Sequence, residues 1–378
     1  MSEPLAIVRT GIICPVGLDA EQSAASIWAG VMRKQETSIM DRRFEPIVMG
    51  TMPYGVLPEL VEPLEAVRPG LTSLQRRLLR LATPAVQEVL GVEVSEDAKP
   101  GEDEPRFEST VLPKGFKPLP PLLVAGPQPH PERAEIMTGR FIGQLAVQSG
   151  VPVDVAASRV FPTGHAGFFA ALQHAQTQVI GPGRAEFAVV GGVDSYLDLY
   201  RLALLEQEER LITFGVQDAF TPGEAAAFVL VGSRVACRRY GMKPLAWIDA
   251  VGVAREPGHR YSEEPYKGDG LAEAFRQVFA AGSNVPPVKL VMAGFTGESF
   301  HCKEWGVAQL RSKKRFAEAF RIEHSAEYTG DPGAALAPMM LGVVVSAFGQ
   351  AELGIEGPAM VWGSSDQGQR GALLVQAA

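Results

Sequence analysis

Apolar residues along this chain fall into two kinds of pattern. Short, nearly continuous runs bounded by Gly, Pro or charge recur from end to end: "LAIVRTGIIC" from Leu5, "PPLLVAG" from Pro120, "EFAVVGGV" from Glu186, "AAAFVLVG" from Ala225, "LAWIDAVGVA" from Leu245, "KLVMAGF" from Lys289 and "AMVWGS" from Ala359. Runs of this length and β-branched content predict buried strands. Between them lie stretches with apolar positions three and four residues apart, such as "LQRRLLRLATPAVQEVLG" from Leu74 and "FFAALQHAQTQVI" from Phe168, which predict amphipathic helices. The alternation predicts an α/β protein whose helices cover mostly buried sheets. "LAPMMLGVVVSAF", Leu336 to Phe348, is apolar all round, but its 13 residues fall short of the ~20 that span a bilayer as a helix. It predicts a core helix and no membrane span. One segment breaks the alternation: Val94 to Pro121 is rich in acid and proline and predicts an exposed excursion.

The pattern also repeats. A helical stretch leads into "PLLVAG" and later another leads into "KLVMAG"; "TGHAGFFAAL…GRAEFAVVGGVDS" is matched in order by "TGDPGAALAPM…IEGPAMVWGSSD". Gly126 and Gly294 stand 168 apart and Thr163 and Thr329 stand 166 apart. Two pairs at nearly one offset predict a duplicated α/β unit, residues 1–235 and 236–378, meeting around Ser233 to Met242.

Composition narrows the function classes. At 378 residues, 46% hydrophobic and 21% charged, with a formal net charge of -8, the chain reads as an ordinary soluble protein without the clustered positive charge that nucleic acid or anionic membranes require. "RSKKR" from Arg311 reads as a solvated helix end. The N-terminus has no basic segment followed by an apolar stretch and cleavage site, so a cytoplasmic protein is expected. Cys14, Cys237 and Cys302 are too few and scattered for a disulfide framework, and no Cys-x-x-Cys pair points to a metal. No cofactor motif is present: "GPGR" at Gly181 reads as a turn before a strand, and a dinucleotide glycine pattern is lacking.

Four motifs occur in a telling order: Cys14-Pro15-Val16-Gly17 at a turn after the first strand, Val190-Gly191-Gly192-Val193-Asp194, Gly223-Glu224-Ala225-Ala226-Ala227, and "EYTGDPGAAL" ending at Leu336. Over nearly its whole length the chain resembles the thiolase superfamily, and within it the β-ketoacyl-acyl-carrier-protein synthases. That resemblance implies a thiolase-like fold, with two related α/β halves in five layers, α-β-α-β-α. It also implies a condensing site: a Cys at a strand-turn-helix elbow that takes an acyl chain, two His that assist decarboxylation and stabilise the enolate, and a supporting Lys. Here the Cys position falls on Phe161, the first His on Gly294, the second His on Asp331 and the Lys on Ala326. The glycine loop that gates the acyl pocket corresponds to Ser365-Asp366-Gln367-Gly368-Gln369, without its Phe. With every catalytic position substituted, condensation is expected to be absent, and Phe161 is expected to plug the former acyl tunnel near its mouth.

Other residues offer relocated chemistry. Thr163 with His165 as base would make a nucleophile at the start of a helix; the alternative is that Thr163 caps that helix and His165 is an ordinary first-turn residue. "GESFHCKE" from Gly297 gathers Ser299, His301, Cys302 and Glu304 like half a nucleophile elbow, the alternative being a loop packed at an interface. His174 reads as a surface or interface residue, and neither His301 with Cys302 nor His324 has the further ligands a metal needs.

The expectation is therefore a catalytically inactive condensing-enzyme homologue acting by protein binding, as an adaptor or accessory factor resembling those of bacterial secretion and effector loading, type VI included. The alternatives are a chain-length-factor-like partner of an active synthase in fatty acid or polyketide synthesis, and an acyltransferase or hydrolase with a relocated site. A homodimer is expected, with "EFAVVGGV" as the edge strand that pairs across it.

Overall fold

The structure, a computed structural model, describes residues 3–67, 70–94, 107–113, 116–130, 136–181, 183–355 and 357–378. The first half runs β1 (Leu5–Ile13), α1 (Ala20–Trp28), the hairpin β2 (Gln35–Met40) and β3 (Pro46–Met49), α2 (Glu62–Glu65), α3 (Ser73–Leu90), the hairpin β4 (Val92–Val94) and β5 (Phe107–Ser109), β6 (Leu122–Ala125), α4 (Phe141–Ser149), β7 (Arg159–Phe161), α5 (Gly167–His174), β8 (Phe187–Ser195), α6 (Leu199–Gln207) and β9 (Glu224–Gly232). Then follow α7 (Arg234–Tyr240), β10 (Ala246–Arg255), α8 (Asp269–Ala281), β11 (Val288–Met292), α9 (Ser299–Arg311), β12 (Phe316–Glu323), α10 (Ala326–Thr329), α11 (Leu336–Phe348), β13 (Ala359–Ser364) and β14 (Gln369–Ala377).

Ten strands lie in the order β12-β11-β13-β14-β10-β1-β9-β8-β6-β7. The order is symmetric about its middle. On one side β6 is parallel to β7 and β8, and β8 is antiparallel to β9; on the other β11 is parallel to β12 and β13, and β13 is antiparallel to β14. Among the described residues the two halves of the sheet are hydrogen-bonded to each other only where Leu5–Ile7 of β1 pair with Ala246–Ile248 of β10. So short a seam lets them face each other with helices between.

Side-chain alternation along the strands fills the layers. Inward-facing Val190 and Val229 of one half-sheet and Val361 and Leu373 of the other enclose Phe168 and Phe169 of α5 and Met340 and Val343 of α11. Outward-facing Val189 and Leu230 meet Leu78 of α3 and Leu145 of α4. Met360 and Trp362 meet Phe275 of α8 and Trp305 of α9. The result is the five-layered α-β-α-β-α arrangement, with the all-apolar α11 buried in its middle layer and no described helix long and apolar enough to cross a membrane.

Two expectations need correction. "EFAVVGGV" is not an edge strand: β8 is hydrogen-bonded on both sides, to β9 and β6, and all nine of its residues are buried. The open edges belong to β7 and β12. The acid- and proline-rich excursion also returns into the protein sooner than expected. Residues 95–106 lie outside the described ones, but Leu112 and Phe116 are buried in the outer core, where the Phe116 ring sits 5.8 Å from Phe187 and 5.0 Å from Tyr240.

Each half also ties the last residue of its third strand to a buried carboxylate held in an ion pair. Ser195 of β8 donates to Glu224, which is paired with Arg77 of α3; Ser364 of β13 donates to Glu304 of α9, which is paired with Arg370 of β14. The charges are exchanged between helix and strand, so the pseudo-symmetry preserves the bond and not the residue type.

Candidate functional site

Two elbows meet at the centre of the molecule. In the first, β7 ends at Phe161 and the chain turns through Gly164 (φ 64°) into a short 3-10 turn and α5; in the second, α10 ends at Thr329 and the chain turns through Gly330 (φ 69°) and a second 3-10 turn into α11. Left-handed backbone at both turns explains the two glycines. Each elbow rests on a glycine of the other half's third strand: a Cβ on Gly192 of β8 would stand 2.3 Å from the Ala334 carbonyl oxygen, and one on Gly363 of β13 would stand 3.1 Å from the His165 carbonyl oxygen. That crossing brings His165 and Asp331, equivalent residues of the two elbows, into contact.

His165 Nε2 lies 2.8 Å and 3.0 Å from the two carboxylate oxygens of Asp331. Asp331 is 1% exposed and its Oδ1 also accepts from the Gly333 amide at 2.9 Å. With the carboxylate as partner, Nε2 carries the proton and Nδ1 is the ring's basic nitrogen. Burial alone would lower the His165 pKa, but the attraction of Asp331, with Asp366 and Asp194 behind it, outweighs burial and raises it. The His301 ring, 6.5 Å from that of His165, is held neutral: burial and the neighbouring His165 push its pKa down to about 3, and its Nδ1 sits 3.1 Å from the Thr296 hydroxyl.

His165 lines a cavity of about 70 Å³ whose wall also includes Gln128, Tyr196, Arg201, Leu204 and Leu205, with Asp331 set back from it. Arg201 donates from Nη1 to Asp194 and to the Ser195 carbonyl and lies 4.1 Å over the Tyr196 ring. Arg210 and Asp366 also line the cavity, with Asp194 and Glu208, and Arg210 and Arg260 both bind Glu298 and Asp366. Burial would raise the Asp366 carboxyl, but these two guanidinium groups hold it well below the usual carboxylate range. Toward the mouth Glu208 accepts from Tyr261 Oη at 3.1 Å and lies 3.1 Å from His130 Nε2.

The structure regroups the residues singled out from sequence. One His from each expected pair, His165 and His301, comes to the centre; their expected nucleophiles do not join them. Thr163 does not cap: its side chain makes no cap bond and its buried Oγ1 has no hydrogen-bond partner among the described residues, while its carbonyl accepts from Ser365 Oγ. Ser299 is tied to Asp218, at 2.6 Å from both its amide and its hydroxyl. "GESFHCKE" is no packed loop, because Ser299–Arg311 is α9, which buries His301, Glu304, Trp305 and Ala308 on one face and exposes Cys302. His324 pairs with Glu327 on the surface.

Of the positions matched to the condensing site, Phe161 lies with its ring under the Arg159 guanidinium, 5.3 Å away, and 5.6 Å from His174, outside the cavity wall. It therefore does not plug this cavity. Gly294 has no room for a side chain, since a Cβ would stand 2.8 Å from the Trp362 carbonyl oxygen. Ala326 is a buried residue opening α10. The stretch matched to the gating loop is a tight turn between β13 and β14, in which Ser365 Oγ accepts from the Ala166 amide at 2.9 Å and Asp366 joins the arginines. Among the described residues no cluster of three or more His, Cys, Asp or Glu side chains is placed to hold a metal ion. Sequence reading missed Gln128, Tyr196, Arg201 and Arg210; Asp194, Glu298 and Asp366 lay inside motifs that drew attention, but without a role of their own.

The fold is the thiolase-like fold of ketosynthases. The whole chain superposes on the oxazolomycin ketosynthase domain of Streptomyces albus with a TM-score of 0.76 at 14% identity, covering 75% of that chain. It matches the ishigamide ketosynthase/chain length factor with a TM-score of 0.74 at 15% identity over the full length of both chains. A type II polyketide synthase ketosynthase in complex with its acyl-carrier protein gives 0.71 at 13%, again over both full lengths. No family model and no curated protein matches the sequence. At such identities the likeness is one of fold.

Proposed function

We propose that this chain is a non-condensing ketosynthase-fold subunit that works by pairing with another protein, as a chain length factor does beside an active ketosynthase. The observation that carries this reading is the first elbow, which keeps its turn, its Gly164 and its helix but sets Phe161, tucked against Arg159 and His174, where the resemblance places the acyl-accepting Cys. Phenylalanine forms no thioester, and at Gly294 the closeness of the Trp362 carbonyl leaves no space for an imidazole. The full-length likeness to a ketosynthase/chain length factor and the open edge of β7 support the pairing half of the proposal. No observation supports the association with secretion or effector loading.

The chain alone and mixed with an active Cys-bearing synthase from its host is to be measured by light scattering. A mixed dimer, with a charged substitution at Val160 of β7 abolishing it, is the expected result. A chain that ignores the synthase, or a host pull-down that recovers secretion components in its place, overturns it. Phe161→Cys is expected to leave malonyl decarboxylation absent; measurable decarboxylation by that variant would show that the residues still form a condensing site.

A further inference from the structure

The central cavity holds more than a tie between halves. His165 spends Nε2 on Asp331 and makes no other side-chain hydrogen bond among the described residues, so Nδ1 is left as an uncommitted base on a ring that forms part of the cavity wall. A buried carboxylate that fixes the tautomer and orientation of an imidazole, and stabilises it when it takes a second proton, is the arrangement a general base requires. Nearby, the Gln128 side chain makes no hydrogen bond among the described residues and packs against Gly164, its Oε1 3.2 Å from where a Cβ would stand. Arg201 has N–H groups beyond the Nη1 committed to Asp194 and Ser195. Both bring donors to the cavity that His165 also lines. Leu204 and Leu205 give the cavity an apolar side, and about 70 Å³ accommodates an acyl group of few carbons and a water, because a water occupies only about 10–15 Å³ by the same measure.

We infer that this cavity is a general-base hydrolytic site for short-chain activated acyl esters, with His165 as the catalytic residue and Asp331 as its positioning residue. Nδ1 takes a proton from water while the water oxygen bonds to the ester carbonyl carbon; Gln128 and Arg201 face the oxygen on which negative charge develops. The carbon–oxygen bond to the alcohol then breaks, and the alcohol oxygen takes the proton back from Nδ1. Water and ester become acid and alcohol, with nothing oxidised or reduced. Neither Thr163 nor Ser299 takes part, and the activity is independent of partner pairing, so the chain alone is assayed.

The test is hydrolysis of p-nitrophenyl acetate and p-nitrophenyl octanoate by the full chain, by His165→Ala, His165→Gln, Asp331→Asn and Ser299→Ala. The intact chain is expected to favour acetate and to exceed the His165 variants by roughly 100-fold or more. Added imidazole is expected to restore acetate hydrolysis to His165→Ala, a recovery that a purely structural histidine would not show. Asp331→Asn is expected to lower kcat with KM little changed, and Ser299→Ala to match the intact chain. If His165→Ala fails to fold, His165→Gln, which retains a donor for Asp331, decides. Buffer-level hydrolysis by the intact chain, a His165→Gln rate equal to it, or preference for octanoate overturns the assignment.

Discussion

His165 and Asp331 stand at matching places in the two halves and are bonded to each other, at 2.8 Å, across the middle of the molecule. Each half carries one elbow, and where one holds a base the other holds an acid. The same contact sets a pH dependence. The His165 pKa is raised on folding, so its contribution to stability is present below the unfolded value of about 6.5 and is lost as pH rises through the folded value. His301 behaves oppositely. Its folded pKa is depressed to about 3, so between about pH 3 and 6.5 the unfolded chain binds a proton that the folded chain does not, and stability falls on acidification. Urea unfolding from pH 4 to 6 is expected to show His301→Gln flattening the acid slope by up to about 1.4 kcal/mol per pH unit. An unchanged slope would mean that His301 is already charged in the folded protein.

Glu88 of α3 holds the start of the chain in place. Its two carboxylate oxygens accept from the amides of Ile12 and Ala20, each at 2.9 Å, and burial raises its pKa in spite of these bonds. Glu88→Gln replaces one acceptor by an NH₂ that faces a backbone N–H, and is expected to cost about 1–3 kcal/mol. Thermal unfolding measures it, and amide exchange at Ile12 or Ala20 identifies which bond is lost.

Glu304 and Arg370 form a wholly buried pair, and burial raises the Glu304 pKa against the pull of its partner. Glu304→Leu strands the guanidinium and is expected to destabilise by about 3–5 kcal/mol. Adding Arg370→Met is expected to recover most of that loss, because neither charge of the pair then remains buried. A double-mutant cycle by chemical denaturation checks this; additive losses would contradict the pairing.

The two elbow seats differ in tightness. Gly192→Ala drives a methyl to 2.3 Å from the backbone oxygen of Ala334, whereas Gly363→Ala meets the His165 carbonyl oxygen at 3.1 Å and the Phe169 ring at 3.2 Å. Overpacking of this kind costs about 1–3 kcal/mol, and Gly192→Ala is expected at the top of that range with Gly363→Ala below it. Comparing their melting temperatures ranks the seats.

Much of the scaffold was legible because burial leaves a local record. "AAAFVLVG" and "KLVMAGF" became β9 and β11, and the repeat of "PLLVAG" in "KLVMAG" became the mirrored strand order. The run "EFAVVGGV" even carried the sign of its true place, since an apolar face on both sides marks a central strand. In α9 the buried residues His301, Glu304, Trp305 and Ala308 recur at three- and four-residue spacing, a helical signal that the likeness to a nucleophile elbow obscured.

By itself the sequence determined the α/β class, the duplication with its repeated Thr-Gly stretches, the first elbow and the core helix α11, since each rests on periodicity or backbone sterics within a short stretch. Tertiary structure alone decided that β7 and not β8 lies at an edge, that the Thr163 and Ser299 hydroxyls bond neither histidine, and that His165 finds Asp331 while Arg210 finds Glu298 and Asp366. These pairings join residues far apart in the chain. No local pattern encodes them, because they depend on how two half-sheets, meeting at one short seam, bring opposite elbows onto each other's third strand.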